Sequence, residues 1–232
     1  IAGWESPIYN ISGLAFGKAE VQSRVASIQP FRERKSRVVF SARWDQEKQP
    51  DFYMDLIEEY NRVQNMPYNN WPRVEFCIFS GAKLRSNNDS YMQRTRDMQS
   101  RGLLRVYEDL DKNAYYELLN DTRVLFNCAL QDWVSNTVSE ADALGCNVLY
   151  PAYRSFPETF ANDYTRLYAP WSVEDAAIKL YNMLHQPHMN QGKISDWTDG
   201  TIDRICDILE GKGQQWLRMD KDYRKHTREN KY

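Results

Sequence analysis

The sequence predicts an α/β fold with a doubly wound, mainly parallel, Rossmann-like sheet that carries helices on both faces. Short apolar runs alternate with longer segments of helical periodicity, which is the pattern of a parallel sheet wrapped by helices. The elements also keep a strict strand and helix order, which right-handed crossovers convert into an open sheet. In such a sheet, ligands bind at the carboxyl ends of the strands.

Five apolar runs predict the strands, and a helical segment follows each one. In the first helix, at residues 50–63, Pro50 suits the first turn, and Phe52, Leu56 and Tyr60 fall on one face. The strands are predicted at residues 37–42, 74–79, 103–107, 124–128 and 147–150.

Capping residues define the later helices. Asn88 and Asp89 can cap the second helix, and Gly102 can end it. Ala176 and Leu180 fall on one side of the last helix of the sheet domain. Further helices are predicted at residues 113–119, at 137–144 before Gly145, at 173–184 and, near the terminus, at about 202–217.

We divide the chain into an N-terminal arm or linker at residues 1–36, a Rossmann-like domain at 37–186, and a C-terminal helix and polar tail at 187–232. Of the 232 residues, 42% are hydrophobic and 27% charged, values near those of folded globular proteins. The net charge of -2 gives no overall footprint for nucleic acid or an anionic membrane. Because the apolar runs are too short to span a bilayer and no signal-like stretch opens the chain, we expect a cytoplasmic protein.

The cysteine and histidine pattern predicts no metal centre. Cys77, Cys128, Cys146 and Cys206 are widely spaced, which favours reduced thiols over a disulfide framework or a zinc site. The three histidines lie in polar stretches without metal-ligand spacing. We therefore expect neither a metal nor a cofactor.

Two loops at predicted strand ends carry the residues that a diphosphate needs, namely fixed cations and a helix N-terminus. Arg43 and Lys48 follow the first strand; an arginine grips phosphate with its planar fork, and a lysine acts as a point charge. The polar segment 129–137 follows the fourth strand and leads into a helix. Glu140, one turn inside that helix, could accept hydrogen bonds from ribose hydroxyls.

Each of these side chains also has a simpler interpretation. Arg43 and Lys48 could be solvated surface charges, and Glu140 a surface helix carboxylate or a capping partner. Trp44 and Trp133, beside the two loops, are interpreted as packing aromatics. Spacing alone does not decide between these interpretations, so the position at the strand ends has to discriminate.

Two segments resemble a known family. Residues 37–48 (RVVFSARWDQEK) are similar to the strand, Arg and Lys element that opens the C-terminal, donor-binding domain of family-4-type GT-B glycosyltransferases. Residues 130–146 (LQDWVSNTVSEADALGC) are similar to their acidic-x7-Glu segment and the helix that follows. The resemblance covers about residues 38–184, and the Arg-Trp pair with residues 156–160 resembles tRNA-queuosine mannosyltransferases, with phage-type sugar transferases as another branch.

The resemblance implies a role for each motif residue. Arg43 and Lys48 would contact the donor diphosphate, Glu140 would bind the ribose hydroxyls, and Asp132 would face the sugar, which makes Asp132 and Glu140 the candidate catalytic residues. Further substrate contacts are implied for Leu110, where the family's base-contacting loop runs, for Gly81, near the same crevice, and for Val134. Ser135, Asn136 and Thr137 would donate to the phosphates.

The sequence also departs from the family pattern. Asp132 stands where the family usually has Glu, and Glu108, Trp133 and Ser135 stand where glycines are common. These departures bear on sugar specificity and activity more than on nucleotide binding.

The resemblance implies a donor domain, one half of a GT-B enzyme, that binds a UDP-sugar or GDP-sugar for metal-independent, retaining transfer. A complete enzyme would need a second, N-terminal acceptor domain or a partner subunit. The alternative is a non-catalytic nucleotide-binding or interaction domain that keeps the half-fold without turnover. A nucleic-acid acceptor is supported only by the resemblance to tRNA-queuosine mannosyltransferases, since the sequence shows no basic face.

Overall fold

The computed structural model describes residues 17–129, 132, 135–153, 156–159, 163–187 and 203–212. Its centre is one sheet in which every strand pairing is parallel. The six strands are β1 (Lys35–Phe40), β2 (Glu75–Phe79), β3 (Arg105–Tyr107), β4 (Thr122–Phe126), β5 (Asn147–Pro151) and β6 (Leu167–Tyr168). Their order across the sheet is β3-β2-β1-β4-β5-β6, which confirms the predicted fold class.

Helices lie on both faces of the sheet. Among the described residues, the α-helices from the N-terminal side to residue 185 are α1 (Lys18–Gln22), α2 (Pro50–Gln64), α3 (Asp89–Ser100), α4 (Lys112–Asn120), α5 (Asn136–Ala143), α6 (Phe156–Thr159) and α7 (Val173–His185). A further helical stretch, α8, spans residues 203–209.

Two hydrophobic cores follow from the period-two alternation of the strands. In β1, Val38 and Phe40 face a core that contains side chains of α2, α3 and α7. Val39, between them, faces a second core that contains side chains of α1, α4 and α5. Because both faces are covered, the central strands are apolar almost throughout.

The helix boundaries follow the predicted signals. Pro50 occupies the first turn of α2, and the Asn88 side chain accepts a hydrogen bond from the Ser90 N–H at the start of α3. Gly102, just beyond α3, has a φ of 70°, a left-handed conformation that favours glycine. These three predictions are confirmed.

Several boundaries differ from the predictions. β1 ends at Phe40 and β4 at Phe126, each two residues earlier than predicted, because the chain turns there into the loops of the carboxyl edge. No periodicity in the sequence predicts β6, which is two residues long, or the short helices α1 and α6. The terminal helix predicted at about residues 202–217 is interrupted, because its described part ends at residue 209 and a turn with Gly211 at a φ of 73° follows. Residues 213–217 lie outside the described residues.

The described part of the predicted N-terminal arm packs on the domain. Val21 and Val25 are buried in the second core, and the Gln22 side chain donates a 2.8 Å hydrogen bond to the Ala143 carbonyl at the end of α5. The segment therefore covers α5. The division of the chain at residues 36 and 186 stays a prediction.

Candidate functional site

The carboxyl edge of the sheet has a switch point between β1 and β4. From β1 the sheet continues through β2 and β3 on one side, and from β4 through β5 and β6 on the other. The loops after two such strands lead away from each other and leave a crevice in which ligands of doubly wound folds bind. Both motif loops of the sequence start at this point, one after Phe40 and the other after Phe126.

The two loops meet through an ion pair. The Lys48 ammonium donates to the Asp132 carboxylate, and the two side chains are only 14% and 15% exposed. Asn127 donates from Nδ2 to Asp132 Oδ2 at 3.3 Å and to Ser135 Oγ at 3.4 Å. Ser135 Oγ lies 3.1 Å from Thr137 Oγ1. The structure thus brings Lys48 next to the segment that precedes Glu140.

The first turn of α5 offers unused backbone donors. Ser135 is the N-cap residue, but its side chain makes no capping hydrogen bond. Within the described part of the chain, the N–H groups of Asn136 and Thr137 have no acceptor. Because free N–H groups and the helix dipole give this end a partial positive charge, it is suited to an anion.

Glu140 lies on the wall of a cavity. Its side chain is 1% exposed, and its Oε1 accepts hydrogen bonds from Lys112 Nζ at 2.8 Å and from the Tyr116 hydroxyl at 2.9 Å. The cavity has a volume of about 280 Å³. Its lining includes Phe79, Gly81, Leu110, Tyr115, Thr137 and Glu140.

Two tyrosines define the electrostatics of this cavity. Burial, and next the charge of Glu140, raise the pKa values of Tyr115 and Tyr116 above their ordinary value. The Tyr115 hydroxyl is close enough to Glu140 and Ser41 for both to affect its pKa, yet it forms no well-aligned hydrogen bond with either. Both hydroxyls therefore stay protonated and can donate, and that of Tyr115 is available for a ligand.

The remaining wall is tied together by backbone hydrogen bonds. The Leu110 N–H donates to the Ser80 carbonyl at 3.1 Å, and the Ser80 N–H donates to the Tyr107 carbonyl at 2.9 Å. A Cβ atom added to Gly81 would lie 3.5 Å from the Leu110 carbonyl oxygen, which is ordinary contact distance. The loops after β2 and β3 thus place Gly81 and Leu110, two predicted substrate contacts, in the wall of the same cavity.

Arg43 lies apart from this cavity. Its guanidinium pairs with Glu47, and its side chain is 70% exposed. It lines a second, open cavity of about 500 Å³, between the loops after β1 and β2, together with Lys83 and Arg85. The structure therefore brings Lys48, but not the Arg43 side chain, to the start of α5, and the contact of Arg43 with a diphosphate stays a prediction.

The two tryptophans of the motif loops have different outcomes. Trp44 is 1% exposed, donates from Nε1 to Thr95 Oγ1 at 3.0 Å and meets Phe40 edge-on with centroids 5.1 Å apart. Its interpretation as a packing aromatic is confirmed. Trp133 and the predicted contact residue Val134 lie outside the described residues.

Sequence reasoning missed three residues of this region. Lys112 and Tyr116 hold Glu140, and Asn127 joins Asp132 to Ser135. Asn127 directly follows β4, but the strand predicted at residues 124–128 includes it, so the strand-end rule that selected Arg43 did not select Asn127. Lys112 and Tyr116 are four residues apart at the start of α4 and therefore share a helix face, but they belong to no motif.

The described residues contain neither a candidate metal site nor a helix that could span a membrane. No group of three or more His, Cys, Asp or Glu side chains there is placed to hold a metal ion. No helix in the same part of the chain has the length and apolar character needed to cross a membrane.

The comparisons with known proteins concern structure rather than sequence. No protein-family model matches the chain, and no curated protein matches it. A structure of OtsA without ligand matches with a TM-score of 0.62 and 11% identity, over 90% of this chain and 52% of OtsA. The present chain thus spans about half the length of OtsA.

Two further matches are structures that contain UDP. The pneumococcal O-GlcNAc transferase GtfA, with UDP and GlcNAc, has a TM-score of 0.55 and 12% identity over 88% of this chain and 38% of its own. A mutant of S. aureus TarM, with UDP among its ligands, has a TM-score of 0.54 and 12% identity over 86% of this chain and 34% of its own. The chain therefore has the Rossmann-like α/β fold of one half of the GT-B glycosyltransferase structures to which it is similar.

Proposed function

We propose that this domain binds a nucleoside-diphosphate sugar and forms the donor half of a retaining, family-4-type GT-B glycosyltransferase. One observation carries the proposal. The Lys48–Asp132 pair joins the loops after β1 and β4 at the switch point, beside the free N–H groups of α5 and one turn from the cavity of Glu140. The cation, the helix end that can bind an anion and the ribose acceptor thus follow one another at the carboxyl edge of the sheet, from Asp132 to Glu140.

The nucleoside part of the ligand fits the cavity of Glu140. The Glu140 carboxylate is an acceptor for ribose hydroxyls. Phe79 and Leu110 provide apolar surface for a base, and a mostly apolar cavity with a few placed polar groups is typical of small-molecule sites. In this assignment the base lies toward the loops after β2 and β3.

The diphosphate then lies over the first turn of α5. Lys48 and the N–H groups of Asn136 and Thr137 donate to it, and Arg43 reaches it by leaving Glu47. Asp132, released from Lys48, faces the sugar. The cations stabilise the charge that develops on the departing diphosphate, at about 2–4 kcal/mol per contact, so the step requires no metal.

The UDP in the GtfA and TarM structures makes UDP the first nucleotide to test, with GDP as the second. Because the chain spans about half of OtsA, we assign the acceptor site to a second domain or a partner subunit. From the sequence resemblance we further propose that the enzyme is a hexosyltransferase, near the tRNA-queuosine mannosyltransferases or the phage-type sugar transferases. A cytoplasmic location, expected from the short apolar runs of the sequence, is also part of the proposal.

Calorimetric titration of the chain with UDP, GDP and ADP tests the nucleotide site. We expect one of the three to bind, and Lys48→Ala and Glu140→Gln each to weaken it by about tenfold or more, the loss of a charge-assisted hydrogen bond. Lys212→Ala and Glu210→Gln are matched controls, because those residues form an exposed ion pair near the terminus. Failure of all three nucleotides to bind would refute the proposal.

A second candidate, a nucleotide-binding or interaction domain without turnover, has one observation in its favour. Both candidate diphosphate cations are neutralised in the free protein, Lys48 by Asp132 and Arg43 by Glu47. A donor-hydrolysis or transfer assay on the longest natural form of the protein separates the candidates. Binding of a nucleotide sugar without release of sugar or product would favour the domain without turnover.

A further inference from the structure

The two carboxylate oxygens of Glu140 have different surroundings. Oε1 accepts both hydrogen bonds, from Lys112 Nζ and from the Tyr116 hydroxyl. Among the described residues, no group donates a hydrogen bond to Oε2. Since Glu140 lines the cavity, the carboxylate is held by one oxygen and has the other free for a ligand.

Lys112 is itself held in position. It is the first residue of α4, next to Asp111, whose carboxylate caps the helix by accepting the Ala114 N–H at 2.8 Å. Its ammonium lies 5.1 Å and 5.0 Å from the ring centroids of Tyr115 and Tyr116, within the range of cation–π attraction. The cap and the two rings thus fix the direction from which Lys112 approaches Glu140.

We propose that Lys112 is a positioning residue that determines how strictly this site recognises ribose. This inference rests on the proposed function, in which Glu140 accepts ribose hydroxyls. A carboxylate with one oxygen fixed by two donors cannot rotate freely about its terminal bond, so its other oxygen has a defined direction. Without Lys112, Tyr116 alone holds Oε1, and the carboxylate can turn away from the hydroxyl that it should accept.

The consequence is a specific change in selectivity. Lys112 also lines the cavity, but its ammonium donates to Glu140. In this proposal it acts through Glu140, so its loss weakens the interaction with the ribose hydroxyls and leaves the contacts to the base and diphosphate in place. The affinity for a ribonucleotide then falls toward the affinity for the corresponding 2′-deoxyribonucleotide. A lysine that only stabilised the fold, or only attracted phosphate, would affect both nucleotides equally.

The test compares two affinities in each variant. The nucleotide among UDP, GDP and ADP that binds the unaltered chain most tightly is titrated beside its 2′-deoxy counterpart. We expect the unaltered chain to prefer the ribonucleotide by about tenfold, the value of one hydrogen bond to a charged acceptor, and Lys112→Met to reduce that ratio at least about threefold. Lys112→Arg should restore most of the preference, and Tyr116→Phe, which removes the second donor to Oε1, should reduce it.

Lys212→Met is the matched control, because the Lys212 side chain is 69% exposed and paired with a glutamate, as the 60% exposed Lys112 side chain is. It should leave the ratio unchanged, and thermal unfolding of each variant verifies that the protein titrated is folded. A full ribose preference in Lys112→Met would overturn the inference while leaving the proposed function intact, and so would equal losses for both nucleotides. Absence of nucleotide binding to the unaltered chain would overturn both.

Discussion

The two edges of the sheet use their charged groups in opposite ways. At the amino edge, Arg34 is 3% exposed and donates to the carbonyls of Gln29 and Leu144 at 2.5–2.9 Å and of Thr122 at 3.3 Å. At the carboxyl edge, Arg43 is 70% exposed and has one carboxylate partner on its own loop. All the hydrogen bonds of Arg34 thus hold the fold together, whereas Arg43 can exchange Glu47 for a ligand.

The same contrast holds for uncharged polar groups. At the amino edge, Asn147 Nδ2 donates to the Met183 and Gln186 carbonyls at 2.7 Å and 2.9 Å. At the carboxyl edge, the buried Tyr115 hydroxyl has no well-formed hydrogen bond. Since buried polar groups are nearly always satisfied, the unpaired Tyr115 hydroxyl is a donor that a ligand can use. Arg123 Nε, at the start of β4, is also unpaired, but the other two nitrogens of that guanidinium donate to the fold.

The largest expected effect is at the amino edge. Arg34→Ala removes a donor from two buried carbonyl groups, those of Thr122 and Leu144, and from the half-buried carbonyl of Gln29. Unsatisfied buried groups cost about 1–3 kcal/mol each, with partial relief from water. We expect the free energy of unfolding to fall by about 3 kcal/mol in denaturant titrations. The nucleotide affinity of the folded protein should not change. A loss of affinity with unchanged stability would contradict the division of roles between the edges.

Arg43→Ala should show the reverse pattern. Exposed ion pairs contribute little, so the free energy of unfolding should change by less than about 0.5 kcal/mol. Affinity for the nucleoside diphosphate, measured by calorimetry, should fall about tenfold because a charge-assisted contact is lost. Arg24→Ala is a matched control, since Arg24 is 50% exposed and also pairs with a glutamate four residues away. If the affinity stays unchanged, Arg43 does not bind the diphosphate.

The pH dependence of stability tests the same comparison of the two edges. Glu75, the first residue of β2, lies at the amino edge. Burial opposes ionisation of Glu75, but hydrogen bonds from Arg37 and Tyr107 outweigh it and hold its pKa below the ordinary 4.5. The resulting stabilisation is present above pH 4.5 and is lost as the pH falls through the lower pKa of the folded protein. We expect Glu75→Gln to flatten this acid-side loss in unfolding curves. An unchanged pH dependence would mean that other carboxyl groups dominate it.

The smallest effect expected is chemical and leaves stability unchanged. Cys77, Cys128 and Cys146 are buried, whereas Cys206 is exposed. Burial raises the pKa of all three buried thiols, that of Cys146 to about 12, and the thiolate is the reactive form. A thiol reagent should therefore label Cys206 rapidly and the others only after unfolding. Rapid labelling of Cys128, whose Sγ donates to the Lys48 carbonyl, would reveal that the site loops open.

The sequence predicted the strand and helix order well because periodicity and caps are local signals. Pro50, Asn88 and Gly102 act where the pattern placed them. The motif loops were also placed at the correct edge, because position after a parallel strand determines the edge. β6 could not be predicted, because its two residues, Leu167 and Tyr168, are too few to show the alternation of a strand.

The partners within the site could not be predicted in the same way. Which carboxylate Lys48 meets depends on how two loops 84 residues apart cross the switch point, and no local pattern encodes that crossing. The pairing of Lys112 with Glu140 likewise requires α4 and α5 to lie side by side. Sequence therefore indicated which groups stand at the edge, and the packing of the helices decided which of them touch.

Helix α5 connects the two edges. Its first turn carries the candidate phosphate donors, and the Leu144 carbonyl at its other end accepts a hydrogen bond from Arg34 at 2.5 Å. Helix α5 has eight residues, which at a rise of 1.5 Å each give a length of about 12 Å. Arg34 holds the end of the helix that lies away from the candidate site. This contact of Arg34 does not involve the residues that precede the helix. Substitutions on either side of Asp132, with Asp132 itself kept, are therefore a way to alter the proposed sugar preference without removing the contact.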